Sequence, residues 1–181
     1  MNKIKVNFEK MYYGFPVFLV SYYDKEGNPN VTTISSSYSL RDMVALGFSS
    51  KGYAINQIKE VSDFVINIAD SKLLDEIEFC GKNTGSECKK FEHLNLTHVP
   101  STTINAPIIK ECPISIECTL TDVIESQNYS GITNILALIK GRLVDESYLD
   151  EKGNLKVSAF DNILYIRDGV NRGFRYMKKE Q

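Results

Sequence analysis

The sequence predicts a mainly β protein whose antiparallel strands close into a barrel, with two or three short peripheral helices. Residues 113–125 and 134–144 alternate between apolar and polar side chains over lengths typical of long strands. The other strand-like segments are short and follow one another through turns, and few segments show helical spacing. Closure of such strands into a barrel removes exposed sheet edges.

The first fifty residues predict an antiparallel meander. Residues 15–23 are aromatic and β-branched, which is typical of a strand. Residues 24–30 form a dense turn cluster with Asp, Gly, Asn and Pro. Strand chemistry resumes over residues 31–40, with a hydroxyl at most positions, and again over residues 43–48.

Helical spacing then interrupts the strands. Ile55 and Ile58 predict a helix over residues 53–61, and a strand follows at 63–68. A second helix is expected from Ser71, as its cap, through Phe79, with Gly81 ending it.

The remaining half of the chain is again mostly strand. Residues 81–91 form a polar loop leading into a short helix, and residues 92–106 are expected to be irregular. The long strands at 113–125 and 134–144 should pair, and a short strand is expected at 162–166.

Composition favours one globular domain over residues 1–181. Hydrophobic residues make up 43% and charged residues 24%, with a net charge of −2. Without a basic excess, nucleic acid is not an expected partner. Apolar runs are far shorter than the roughly 20 residues that cross a bilayer, so no membrane span is expected. The charged segment MNKIKVNFEK carries no apolar signal region, so we expect a cytoplasmic protein.

The four cysteines, at positions 80, 88, 112 and 118, form no C-x-x-C pair, so we expect four thiols. Cys88 with His93 could form a catalytic pair, and Cys88, His93 and His98 could form a metal site. Their spacing matches no common zinc pattern. Two surface histidines near a buried thiol are therefore the favoured interpretation, and no catalytic side chain or metal ligand is predicted.

Three polar patches could bind a ligand. Hydroxyls in the segment from Asn30 onward (NVTTISSS) could bond the edge of a flat heteroaromatic ring, or could face solvent. Residues 48–52 (FSSKG) place hydroxyls and a lysine before a helix, which suits a phosphate, although Ser49 or Ser50 could instead be a helix cap. Residues 81–91 add a small-residue loop and two lysines, which could hold an anion or form a capped surface helix.

The order of four blocks resembles the flavin reductase-like family of FMN-binding split barrels, which includes flavoredoxins. The blocks are FPVFLVSYYDKEGNPNVTTISSSYSL, ALGFSSKGYAINQIKEVSDFVINI, LLDEIEFCGKNTGSECKKF and APIIKECPISIECTL. The resemblance implies non-covalent FMN in a homodimer. It also implies an oxidoreductase that passes electrons from NAD(P)H or a redox-protein partner, such as a ferredoxin or rubredoxin, to an acceptor.

The resemblance also implies a cofactor site with three parts. The opening hairpin with Asn30 would place Thr32, Thr33, Ser35 and Ser36 along the isoalloxazine edge. The phosphate would be approached by Ser49, Ser50 and Lys51. Cys80 and Gly81 would position a third loop, which would close the site through Thr84, Gly85, Ser86 and Lys90.

This chain departs from the family pattern at several of these positions. The family often has arginine at Ser49, threonine at Ala54, arginine at Ser86 and tryptophan at Ser36. Aspartate is usual at Lys89. Losing two charged hydrogen bonds of about 1.5–3 kcal/mol each would weaken FMN binding, unless Lys51, Lys82 or Lys90 compensates.

Two other functions are compatible with the sequence. One is a non-catalytic FMN-binding carrier, storage or sensor protein, which the neutral residues at the phosphate segment favour. The other is a related split barrel with a different ligand, such as haem or a pyridoxal phosphate precursor. Haem requires a placed histidine, and His93 and His98 lie outside the three patches.

Overall fold

Strands dominate the residues that the computed structural model describes, which are 1–8, 11–159, 161–168 and 171–176. The strands are β1 (Met11–Pro16), β2 (Phe18–Tyr23), β3 (Pro29–Ile34), β4 (Ser37–Leu40), β5 (Met43–Ser49), β6 (Asp63–Ile68), β7 (His98–Pro100), β8 (Pro107–Ile109), β9 (Ile114–Glu125), β10 (Ile132–Val144), β11 (Ile163–Asp168) and β12 (Arg172–Tyr176). The α-helices are α1 (Tyr53–Val61) and α2 (Leu74–Lys82).

Seven strands form one antiparallel sheet in the order β3-β2-β6-β9-β10-β5-β4. Its two edge strands, β3 and β4, are consecutive in the chain and are joined through Ser35 and Ser36. Because only two residues link opposite edges, the sheet must curl back on itself. The Gly47 N–H on β5 donates to the Ser36 carbonyl over 2.8 Å and extends the β4–β5 ladder into this link. The antiparallel barrel predicted from the alternating segments is confirmed, and β9 and β10 pair as expected.

The barrel interior is apolar and is closed at one end by α1. Ile55 and Ile58 of α1 are fully buried, as their helical spacing predicts, and Ala54 packs beside them. The strands contribute the rest of this core, which includes Phe18, Val20, Tyr22, Val44, Leu46, Phe48, Phe64, Ile66, Cys118, Ile135, Ala137 and Ile139. Removing this apolar surface from water contributes most of the fold's stability.

A second core lies on the outer face of β2 and β3, beneath α2. Leu19 and Val31 of the strands face Ile77 and Cys80 of the helix, and all four are buried. The Thr33 hydroxyl on β3 donates to the Ile77 carbonyl over 2.6 Å. This hydrogen bond fixes α2 against the edge strand of the barrel.

A smaller sheet, in the order β1-β11-β12, packs against this second core. The Val17 N–H donates to the Ile163 carbonyl over 3.0 Å, which joins the smaller sheet to the start of β2. Strand β12 was not predicted, and the 162–166 prediction corresponds to β11. Residues 92–106, expected to be irregular, include β7, which pairs with β8.

Two predicted strands are each divided in the structure. The 15–23 prediction spans β1 and β2, which belong to different sheets; Pro16 has no N–H for a ladder, and Gly14 has φ of +115° beside a register shift. The 31–40 prediction spans β3 and β4, because the chain crosses from one sheet edge to the other at Ser35–Ser36.

The second helix also differs from its prediction. A 3₁₀ turn covers Ser71–Leu73 and α2 follows it. Asp70 rather than Ser71 is the cap, since its side chain accepts the Lys72 N–H over 2.9 Å. Gly81 lies within the last turn, and the helix continues to Lys82. Neither α1 nor α2, the helices of the described residues, is long and apolar enough to cross a membrane.

Candidate functional site

A cleft of about 380 Å³, here called the central cleft, lies where the curled sheet leaves β3 and β5 apart. Three chain segments form its walls: the end of β3 and the crossing that follows it, the end of β5 with the start of α1, and the end of α2 with the loop after it. Its lining comprises Tyr22, Thr32, Thr33, Ile34, Ser35, Ser36, Gly47, Phe48, Ser49, Gly52, Tyr53, Ala54, Cys80, Gly81, Lys82, Asn83, Thr84, Gly85 and Lys90.

The β3 wall presents backbone groups rather than the Thr33 hydroxyl. β3 is an edge strand, and its Val31 carbonyl points away from β2, since it accepts a bond from Lys90. The N–H and carbonyl groups of alternate residues in a strand point to the same side, so those of Thr33, like the Val31 carbonyl, point away from β2. The Thr33 hydroxyl proton is used by the Ile77 carbonyl. Thr33 therefore offers its amide to a ligand, while its side chain holds α2.

The α1 wall is an open helix N-terminus. Gly52 is the N-cap, and no side chain of the described residues caps the helix. The preceding residues form a turn closed by the Gly52 N–H and the Ser49 carbonyl, 2.8 Å apart. Unbonded N–H groups and the helix dipole at such an end attract anions. The alternative that Ser49 or Ser50 caps this helix is therefore wrong.

Ser50 and Lys51 do not line the central cleft. The Ser50 hydroxyl bonds the Thr133 hydroxyl on β10 over 2.8 Å, and its N–H donates to the Gly131 carbonyl over 3.0 Å. Lys51 is exposed and lies outside the cleft lining. Of Ser49, Ser50 and Lys51, which were predicted to approach the phosphate, only Ser49 lines the cleft.

The third wall is fixed by a buried lysine. Lys90 is only 2% exposed, and its ammonium donates to the Val31 carbonyl over 2.8 Å and to the Cys80 carbonyl over 2.9 Å. Burial lowers its pKa. No ion pair joins Lys90 to a carboxylate among the described residues. The floor of the cleft therefore holds a positive charge, which an anionic ligand would balance.

Other contacts shape the same wall. Asn30 lies behind the lining, where its side-chain amide donates to the Gly85 carbonyl over 3.3 Å. Burial raises the pKa of the Cys80 thiol to about 12, so Cys80 is an uncharged part of the wall. All four cysteines are free thiols, as expected.

Of the fourteen residues assigned to the cofactor from sequence, ten line the central cleft and four do not. The four are Asn30, Ser50, Lys51 and Ser86. Whether the ten contact FMN stays a prediction. Nine further lining residues were not individually assigned. Five of them, Ile34, Phe48, Gly52, Lys82 and Asn83, lie within the three predicted patches, and the other four, Tyr22, Gly47, Tyr53 and Ala54, lie outside them. Widening the 48–52 patch by two residues would have included all of these four except Tyr22.

Both histidines lie outside the central cleft and pack on aromatic rings. His93 lies 6.1 Å from Phe79 and His98 lies 5.1 Å from Phe91, measured between ring centroids. Cys88 is partly buried in the loop before Lys90. Within the described residues, no group of three or more His, Cys, Asp or Glu side chains could hold a metal ion.

A curled antiparallel barrel with a cleft between β3 and β5 defines the fold as a split barrel. Residues 11–166 match the family described as Flavin reductase like domain, and the chain belongs to this family.

Solved structures agree with this assignment. The chain resembles a flavoredoxin of Desulfovibrio vulgaris at 25% identity, with a TM-score of 0.87, over 99% of this chain and 96% of that one. A Shewanella frigidimarina protein with a split barrel domain shares the fold at 17% identity and a TM-score of 0.79, over 93% and 84% of the two chains. An FMN-binding protein from Thermus thermophilus also shares the fold, at 17% identity and a TM-score of 0.78, over 100% of this chain and 97% of that one.

Proposed function

We propose that the chain binds FMN without a covalent bond and acts as an oxidoreductase of the flavin reductase-like and flavoredoxin-like type. The observation that carries this proposal is the open N-terminus of α1, which shares one cleft with the edge of β3. The first suits a phosphate, and the second suits the polar edge of a flat ring.

The described residues fit FMN in size and in charge. The cleft volume falls within the range of about 300–1,000 Å³ that cofactor sites occupy. Ser49, Gly52, Tyr53 and Ala54 would hold the phosphate at the helix end. Thr32, the Thr33 amide, Ser35 and Ser36 would lie along the ring. The buried Lys90 ammonium supplies the positive charge that Ser49 and Ser86 lack.

Bound FMN would supply hydride and electron transfer, so no acid or base side chain is required of the protein. The chain's own groups orient the ring and set its electrostatics. Backbone donors on β3 and the Lys90 charge favour negative charge on the ring. Electrons would enter from NAD(P)H or from a redox-protein partner.

We also propose a homodimer, because the cleft continues into an exposed apolar face. Side chains alternate along β5, and Gly47 and Ser49, which line the cleft, lie on the same outer face as Met43. Tyr38 and Leu40 of β4 and Leu138 of β10 extend this face and are exposed. A second copy on this face would cover both the apolar side chains and the open side of the cleft.

Replacing Leu138 with lysine should therefore convert the dimer to a monomer, because each interface would bury an unpaired charge. FMN retention should fall with it, since the cleft would lose its cover. Sedimentation equilibrium and flavin absorbance after gel filtration measure the two effects. Leu143→Lys is the control. Leu143 and Leu138 are both 43% exposed, but Leu143 lies in the part of β10 that does not pair with β5. A monomeric wild-type protein that retains FMN would contradict the dimer proposal.

The proposed function is tested first by the absorption spectrum of the purified protein before and after FMN is added. Flavin absorption that stays with the protein through gel filtration supports the proposal, and a protein that ignores added FMN refutes it. Photoreduced protein is then mixed with candidate acceptors, because a protein donor would escape an NAD(P)H assay. Bound FMN without electron transfer to any acceptor would instead indicate a carrier, storage or sensor protein.

A further inference from the structure

A second cleft, here called the side cleft, adjoins the central cleft and has a volume of about 180 Å³. Thr33, Ser35 and Gly81 line both clefts. The side cleft therefore shares part of the β3 wall, along which the flavin ring is placed in the proposed function. Its remaining lining comes from α2 and from the smaller sheet, as Ile77, Glu78, Tyr165, Arg172 and Phe174.

One wall of the side cleft is aromatic. Tyr165 of β11 and Phe174 of β12 lie 5.5 Å apart between ring centroids, and Ile77 lies on the α2 side. A cavity this small is below the size of drug-sized sites, which start at about 300 Å³, whereas a dry cavity of about 150 Å³ admits benzene. The side cleft therefore suits a molecule with a single ring or of similar size.

The charged side chains of the lining are Glu78 and Arg172, and Glu78 is also bonded by Lys82 of the central cleft. The Glu78 carboxylate bonds the Lys82 ammonium and also lies 3.4 Å from the Arg172 guanidinium. Two cations thus share one carboxylate. Lys82 holds the pKa of Glu78 below its ordinary value, so this carboxyl stays charged at neutral pH. Arg172 has donors to spare, and its planar guanidinium binds carboxylates in a bidentate manner.

The geometry points to the side cleft as a binding site for a small planar carboxylate, with Arg172 pairing its negative group and Tyr165 and Phe174 packing on its ring. The role of this site rests on the proposed function, because the side cleft adjoins a flavin only if FMN occupies the central cleft. A ligand seated there would then be the compound that reacts with the cofactor. Its binding to the protein is testable without the cofactor.

The test uses 4-fluorobenzoate as the probe and fluorine NMR of the full chain, with and without FMN. We expect saturable binding that Arg172→Gln weakens about fivefold to tenfold, because a charge-assisted hydrogen-bond pair is lost. Glu78→Gln should tighten binding, because it removes the competing carboxylate. The uncharged probe 4-fluorobenzyl alcohol should bind more weakly and should not respond to either change.

Arg142→Gln is the matched control, since Arg142 also pairs with one carboxylate, that of Asp42 over 3.0 Å, but lines neither cleft. Binding of 4-fluorobenzoate that Arg172→Gln leaves unchanged, or no binding at all, would overturn the inference. Flavin absorbance after gel filtration is recorded separately for each variant. Arg172-dependent probe binding in a protein that rejects FMN would refute the proposed function and leave the side cleft as a carboxylate site.

Discussion

Replacing Lys90 with methionine should weaken FMN binding by about tenfold to a hundredfold, the equivalent of one charged hydrogen bond of about 1.5–3 kcal/mol. The Lys90 ammonium is buried at the base of the central cleft and ties the Val31 carbonyl of β3 to the Cys80 carbonyl of α2. Methionine keeps the volume of the side chain but removes both bonds and the charge. The ring wall and the third loop would then no longer be held at a fixed separation.

Lys82→Met is the matched control for this experiment. Lys82 also lines the central cleft, but its ammonium bonds Glu78 and its side chain is 55% exposed. An exposed pair of this kind contributes little, so this variant should keep most of the FMN affinity. Dissociation constants come from quenching of flavin fluorescence, and urea unfolding of each variant shows that it folds. Equal losses of FMN affinity in the two variants would mean that the buried Lys90 ammonium contributes no more to FMN binding than the exposed Lys82.

The buried position of Lys90 also predicts a pH dependence. Burial lowers its pKa below the ordinary 10.5, so the unfolded chain binds this proton more tightly than the folded one. Between the lowered pKa and 10.5, the free energy of unfolding of the FMN-free protein should therefore rise with pH. FMN affinity should fall over the same range, because the ammonium loses its charge.

Both trends are measured as differences between wild type and Lys90→Met, which cancels the titration of groups that do not interact with Lys90. Cys80 and Cys88 are the thiols that interact electrostatically with Lys90, and both are present in the two proteins. The unfolding difference is followed in urea at a series of pH values, and the affinity difference by fluorescence titration. Parallel pH profiles for the two proteins would show that Lys90 does not titrate in this range.

Local periodicity was sufficient to predict much of the fold. The range of α1 is correct because Ile55 and Ile58 both face the barrel core. The alternation of residues 113–125 and 134–144 is visible because each strand has one face in that core. The break at Ser35–Ser36 was missed, since both halves of that segment have strand chemistry. What divides them is the curvature of the whole sheet, to which many distant residues contribute.

The site was harder to predict because its decisive contacts join distant parts of the chain. The Lys90 ammonium meets a carbonyl 59 residues away, and the Thr33 hydroxyl meets one 44 residues away. Sequence could indicate that a lysine and several hydroxyls belonged to the site. It could not show that the buried Lys90 ammonium bonds both β3 and α2, or that Thr33 faces the cleft with its backbone amide. The direction of Ser50 toward Thr133, which lies 83 residues further on, was equally hidden.

The close approach of Gly85 to Asn30 gives the second large expected effect. A Cβ at position 85 would lie 2.4–2.7 Å from the side-chain amide atoms of Asn30. Asn30 cannot move aside freely, because it is buried and its Oδ1 accepts the Val31 N–H over 2.8 Å. Gly85→Ala should therefore push the third loop out of position. We expect the free energy of FMN binding to become less favourable by about 1–3 kcal/mol, the usual cost of overpacking.

A double-mutant cycle separates this clash from a general effect on the loop. Asn30→Ala alone should cost affinity, because the bond to the Gly85 carbonyl is lost. Added to Gly85→Ala, the same change should restore part of the affinity, because it removes the atoms that the new methyl group meets. The coupling between the two positions should therefore be at least about 0.5 kcal/mol, the range seen for residues in contact. Additive losses would mean that the Gly85 variant acts through loop flexibility, and the contact with Asn30 would then not be what shapes the wall of the cleft.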